Sequence, residues 1–201
     1  MAGTIKVEIY KNKNAEEFTT SLADAGSRLD TGGGAAMCAA VAASFLARAA
    51  ALTAAGSAES EQLDYIVRNA EILRKYMVHL IDEDVRSRGP LRRAILEGDA
   101  QKIDAAGQSA VSISEEIVNM MGKCLDLLSE LADLCVEGAK HYVLEGAEIA
   151  MAAIRASMRY ILHMSSGSMD ETYRYITRRE NEITLEQSTE VYEAILAKLA
   201  D

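Results

Sequence analysis

The stretch between Gly32 and Ala55 constrains the fold of this chain more than any other. Gly32-Gly33-Gly34 run straight into residues 35–55, of which twelve are alanine and only Arg48 is charged. Alanine has the highest helix propensity, and a helix built from it lets its neighbours approach closely. Such a segment has the length of a membrane span, but its alanine content and Arg48 mark it as a buried core helix, so no membrane association is expected. The rest of the chain agrees, with no Trp, two Phe and one Pro in 201 residues. That composition suits helices packed on small side chains and does not suit a β-sandwich.

Helical periodicity continues on both sides of this segment. Asn14-Ala15-Glu16-Glu17 reads as a capping box opening a short helix that ends near Gly26. After a cap at Ser57 or Ser60, Leu63, Ile66, Val67, Ala70, Leu73, Met77, Leu80 and Ile81 recur at threes and fours and predict a long helix, closed by Gly89-Pro90. From Asp99, near-heptad apolar residues as far as Leu134 predict one further long helix, and a break near Gly138 precedes another over about 141–163. Ser168-Met169-Asp170-Glu171 and Thr184-Leu185-Glu186-Gln187 read as capping boxes for two final helices. The exception is the N-terminal 4–10 segment, where β-branched residues alternate at period two as in a half-buried strand. No repeat or linker divides the series, so an all-α fold, one multi-helix bundle domain over residues 1–201, is expected.

Charge and cysteines narrow the function classes. Lys+Arg 21 against Asp+Glu 31 leaves a net charge of −10, the wrong electrostatic footprint for a nucleic-acid partner. Cys38, Cys124 and Cys135 are widely spaced, and no secretory leader pattern is evident, so free core thiols and a cytoplasmic location are expected. The three histidines lack metal-ligand spacing, so no metal site is expected.

Two features carry chemistry. Glycines at a helix N-terminus let backbone approach a ligand, and the free first-turn N–H groups favour negative charge or a carbonyl oxygen. Packing demand is the competing explanation for the same glycines. Asp84 lies seven residues beyond Met77, about 20° around the helix, so it continues the apolar seam, whereas Asp82 points elsewhere. A carboxylate on a core-facing stripe is either an ion-pair member or an acid/base group. The i,i+4 spacings offer Asp84 with Arg88, and Asp82 with Arg86, as salt bridges. Arg86, Arg88, Arg92 and Arg93 concentrate positive charge around Gly89-Pro90, either to steer an anion or to offset neighbouring carboxylates. His141 and Glu145, four apart, offer a second proton-transfer pair, with a solvated helix end as the alternative.

Glu17-Phe18, then Thr31-Gly32-Gly33-Gly34-Ala35-Ala36 entering an alanine-rich helix, then an Asp late in the next long helix, resembles the cyclodeaminase/cyclohydrolase family. That family includes the cyclodeaminase part of formiminotransferase-cyclodeaminase and stand-alone bacterial methenyltetrahydrofolate cyclohydrolases. The resemblance implies a helical homodimer acting on a reduced folate, with a tetrahydrofolate derivative as substrate and no tightly bound cofactor. Carried onto matching positions, it implies that Gly32, Gly33 and Gly34 line the folate pocket and that Asp84 is the acid/base group. Arg88 and Tyr142 are further candidate ligand contacts, and His141 and Glu145 candidate catalytic groups. The sequence departs from the family pattern at several places: Thr31 stands for the motif's proline, Ser87-Arg88 for Ala-Phe, Cys135-Val136 for Gly-Asn, His141-Tyr142 for Ser-Asp, and Tyr160 for an Asn. A divergent, non-catalytic binding or interaction module is therefore the second reading.

Overall fold

In the computed structural model, residues 8–57 and 60–200 are described. They form α1 (Ala15–Ala23), α2 (Thr31–Gly56), α3 (Glu61–Ser87), α4 (Gly89–Glu97), α5 (Ala100–Ala110), α6 (Ser112–Ala132), a 3-10 turn at Glu137–Ala139, α7 (Lys140–Ser166) and α8 (Glu171–Leu199). There is no strand among the described residues. Residues 4–7 of the expected strand lie outside them, and Glu8, Ile9 and Tyr10 carry no regular secondary structure.

Local signals explain most boundaries. Asn14 opens α1 with the full capping box: its side chain accepts from Glu17 N–H, and the Glu17 carboxylate accepts from Asn14 N–H. Ser60, not Ser57, caps α3. Pro90 sits in the first turn of α4, where its missing N–H costs nothing. Gly98, at φ 70°, ends α4 in the left-handed conformation that glycine adopts without strain.

Two expectations fail for tertiary reasons. The single helix expected from Asp99 to Leu134 breaks at Val111 into α5 and α6. Gln108 and Asp104 on α5 are tied to Ser168 and to the Met169 N–H in the turn before α8. Ile117, Met121 and Leu128 on α6 are meanwhile fully buried, so the chain bends to serve both. The expected boundary at Thr184 is absent: Asp170 caps one continuous α8, and the Thr184 hydroxyl donates to Glu180 O within it.

Helix α2 is the axis of the molecule. It lies between α3 and α7 and is backed by α6, while α8 packs on α7 and α6. Its alanines at 36, 39, 42, 43, 49 and 50 are completely or almost completely buried, and the α2–α7 crossing is equally tight. A Cβ on Gly146 would stand 3.3 Å from both Phe45 Cβ and Leu128 Cδ2. This helix is long and apolar enough to cross a membrane, but half of its most apolar window is buried inside the protein. Of the thiols, Cys124 is a core group whose pKa burial pushes up to about 12. Cys38, expected in the core, is exposed on the outer face of α2.

Candidate functional site

The three glycines are not a loop before α2 but part of its first turn, following Thr31. Asp30 caps that turn: its carboxylate accepts from Thr31 N–H at 2.7 Å and from the Thr31 hydroxyl at 3.1 Å. Because α3 runs antiparallel beside α2, the end of α3 delivers Asp84 directly beneath this turn. Asp84 has no solvent exposure. Its Oδ2 accepts from Gly33 N–H at 3.0 Å, one of the first-turn donors that lack a partner within the helix. Its Oδ1 accepts from Arg88 Nε at 3.1 Å, the i,i+4 pair that the spacing offered.

Arg88 ties the carboxylate to the surface. Its Nη1 donates to half-exposed Asp30, its guanidinium carbon lies 4.3 Å over the Tyr160 ring, and it is itself only 4% exposed. Nη2 is buried without a partner, a state that costs about 1–3 kcal/mol. Burial pushes the Asp84 carboxyl pKa above its ordinary value, and the Arg88 charge and the Gly33 N–H offset only part of that push. Burial also acts on Asp30, but the Arg88 charge and the Thr31 bonds together outweigh it and hold that carboxyl below its ordinary value. The Tyr160 phenol is raised by burial. One buried carboxyl whose pKa is raised, one outer carboxyl whose pKa is lowered and a bridging guanidinium therefore meet at the N-terminus of α2.

Gly32 is indispensable to this packing. A Cβ there would lie 2.0 Å from Asp84 Oδ1 and 2.5 Å from its Cγ. Gly33 contributes its N–H, while Gly34 faces Leu22 rather than the carboxylate. The expected arginine cluster does not form a free patch. Arg86 pairs with Glu83 rather than Asp82, Arg88 is buried, and Arg92 donates to Arg28 O and Val85 O. Asp82, expected to point away from the core, is also buried: its Oδ1 accepts from Tyr10 N–H at 2.7 Å and pins the N-terminal segment to α3.

The remaining candidates lie elsewhere. Eighteen residues of α7 separate Tyr142 from Tyr160, about 27 Å along the axis, so His141, Tyr142 and Glu145 sit well away from Asp84, with Tyr142 against the middle of α2. His141 and Glu145 are exposed and form no hydrogen bond with each other. The Tyr142 ring stacks on Phe45 at 6.1 Å, lies under the Arg48 guanidinium at 4.8 Å, and touches the His141 ring at 3.8 Å. Sequence reasoning missed Asp30 and Tyr160 as members of the Asp84 site. An Asx cap one residue before a glycine run was a readable signal for Asp30. Tyr160 stood out only as a departure from the family pattern.

The family model for formiminotransferase-cyclodeaminase matches residues 14–182. No curated protein matches the chain. Among solved structures, the crystal structure of formiminotetrahydrofolate cyclodeaminase from Thermotoga maritima superposes with a TM-score of 0.85. It is 18% identical, and the match covers 94% of this chain and 97% of that one. At that identity the structural likeness speaks for the all-α fold alone, while the family match spans the glycine turn, the Asp84 helix and Tyr160 together. The chain therefore belongs to the formiminotransferase-cyclodeaminase family.

Proposed function

We propose that this protein is a tetrahydrofolate one-carbon enzyme of the methenyltetrahydrofolate cyclohydrolase or formiminotetrahydrofolate cyclodeaminase type. The observation that carries the reading is Asp84, a fully buried carboxyl with a raised pKa that accepts from the first-turn Gly33 N–H of α2. Both reactions pass through a cationic one-carbon centre and move a proton at nitrogen or water. A buried carboxyl whose pKa is raised can carry a proton to a departing nitrogen, and the carboxylate left behind stabilises the positive charge.

For that chemistry Arg88 must release Asp84 Oδ1. The junction of α3 and α4 lies at Arg88 and Gly89, and nothing stands within 4 Å of where a Cβ on Gly89 would be. Asp30 is the outer carboxylate on which the guanidinium can remain as it moves.

The same arginine favours the second reading. Its guanidinium already supplies Asp84 with a cation, so a scaffold kept only for binding would look like this. Turnover of 5-formimino- and 5,10-methenyltetrahydrofolate by the purified protein separates the two. Turnover that Asp84→Asn abolishes without loss of helicity supports the enzyme. Folate binding without turnover supports the binding module, and no binding at millimolar folate overturns both.

A further inference from the structure

Helix α8 packs on α7 and α6, but only its last turns bury apolar side chains. Its buried residues are Thr177 and Ser188, and then Ile195 and Leu199. Along the polar part of this seam the helices leave a cleft, made of two adjoining cavities of about 280 and 220 Å³ that share Val118, Asn119 and Thr184. Its α6 wall carries Glu115, Asn119, Gly122 and Asp126, and its α8 wall Thr177, Asn181, Thr184 and Ser188. Both sets follow spacings of four, three and four, so each is one stripe of its helix. We propose that this cleft binds a linear aliphatic polyamine, its ammonium groups on the carboxylates towards either end and its methylenes along the apolar lining between them.

Charge and hydrogen bonding both point to that ligand. Glu115 and Glu180 line one cavity and Asp126 the other, and among the described residues none of the three forms an ion pair. Against them stands Lys123, exposed on the rim. Although Glu115 is reachable from solvent, partial burial raises its carboxyl pKa and the Glu180 charge adds to the push. Burial and the Glu130 charge act in the same way on Asp126. Carboxylates held in this manner without a counter-ion are relieved by a cation. The neutral groups are acceptors in want of donors. Ser188 is only 6% exposed, yet its hydroxyl opens on the cleft and makes no hydrogen bond, a state a buried polar group is rarely left in. The Asn181 amide nitrogen donates to Thr177 O, which leaves its carbonyl oxygen free to accept an ammonium N–H.

Spacing selects a long, thin cation. Glu115 and Asp126 are eleven residues apart, which sets them about 20° from each other around α6 and about 16–17 Å apart along it. One metal ion cannot meet both, and among the described residues no group of three or more His, Cys, Asp or Glu is placed to hold one. Val118, Met158 and Ile161 line the cleft between the charges, a surface suited to methylenes, as in small-molecule pockets that pair an apolar lining with a few fixed polar groups. Cavities of a few hundred Å³ admit an extended chain but not a basic helix, whose diameter with side chains is about 10–12 Å.

Calorimetric titration of the protein with spermine, in about 150 mM salt so that diffuse attraction is screened, tests the cleft and involves neither Asp84 nor folate. Saturable binding of a single spermine is expected. Glu115→Gln and Asp126→Asn, at exposed positions, should each weaken it about tenfold or more while the helical circular dichroism stays unchanged. Gly122→Leu removes no charge, and nothing stands within 4 Å of its Cβ position, so it should weaken binding as much by filling the middle of the cleft. Glu16→Gln makes the same change of net charge at an exposed site on α1 and should leave the affinity within about twofold. Putrescine, too short to reach both ends, should bind about tenfold more weakly or worse. No saturable binding at millimolar spermine, a loss in Glu16→Gln equal to that in Glu115→Gln, or wild-type affinity in Gly122→Leu overturns the proposal. So does putrescine binding as tightly as spermine, which would mark a simple counter-ion effect.

Discussion

Replacing Gly32 by Ala tests whether the glycine run is a packing requirement of the Asp84 network. The added methyl would lie 2.0 Å from Asp84 Oδ1, 2.5 Å from Cγ and 3.0 Å from Oδ2. A free side chain would swing aside at little cost. Asp84 is not free: it is fully buried and held by Gly33 N–H and Arg88 Nε. To make room, either the carboxylate must give up these bonds, worth about 1.5–3 kcal/mol each for a charged acceptor, or α2 must move off α3 at an overpacking cost of about 1–3 kcal/mol. Better helix propensity returns at most about 1 kcal/mol, and less in a first turn. A net loss of about 1–3 kcal/mol is expected, read as a lower urea midpoint at unchanged m-value. For a chain of this size it corresponds to about 2–12 °C in Tm. Gly122→Ala is the control, since nothing stands within 4 Å of the position its Cβ would take inside α6, and it should stabilise by about 0.5–1 kcal/mol. In an Asp84→Ala background the clash is gone, so Gly32→Ala should cost little. A Gly32→Ala protein within 0.5 kcal/mol of wild type, or one equally destabilised in both backgrounds, would refute the reasoning.

Three further outcomes follow from the same contacts. Arg88→Met leaves a buried carboxylate unpaired and should cost about 3–5 kcal/mol in urea unfolding, most of which Asp84→Asn in the same chain should restore. Asp84 binds its proton more tightly folded than unfolded. Its stabilising contribution is therefore full below its ordinary value of 3.8 and is lost as the pH rises through the raised folded value. Asp30 has the opposite sign, its contribution being present above 3.8 and lost as the pH falls through its lowered folded value. Stability measured from pH 3 to 8 should lose the first component in Asp84→Asn and the second in Asp30→Asn, and profiles parallel to wild type would refute both assignments. Asp82→Ala removes the acceptor of the buried Tyr10 N–H and should cost about 1–3 kcal/mol. Limited proteolysis should then cut near residues 9–13 well before the helices, and an unchanged cleavage pattern would count against the pin.

The all-α fold was legible because its signals are local. Alanine propensity in α2, the apolar period of α3, the Asn14 capping box and the Gly89-Pro90 break each act within a few residues, so each can be read along the chain. The i,i+4 geometry that joins Asp84 to Arg88 is local in the same sense. Other features depend on groups that only folding brings together. Thr184 has the composition of a cap, but its hydroxyl is satisfied by Glu180 O, so α8 continues through it. Apolar periodicity runs from Asp99 to Leu134, but the ties to Ser168 and Met169 bend the chain at Val111.

The same division governs the site. Sequence by itself determined that a glycine-started alanine helix must pack closely and that Asp84 lies on a buried face. Tertiary structure alone decided what meets that carboxylate. The antiparallel contact of α2 with α3 sets a Gly33 N–H on it from 51 residues away. Contact with α7 lays Tyr160 under its arginine and leaves His141 and Glu145 several turns of α7 away from Asp84. Burial and long-range partners set the charge state of a side chain, and neither is a property of its neighbours in sequence.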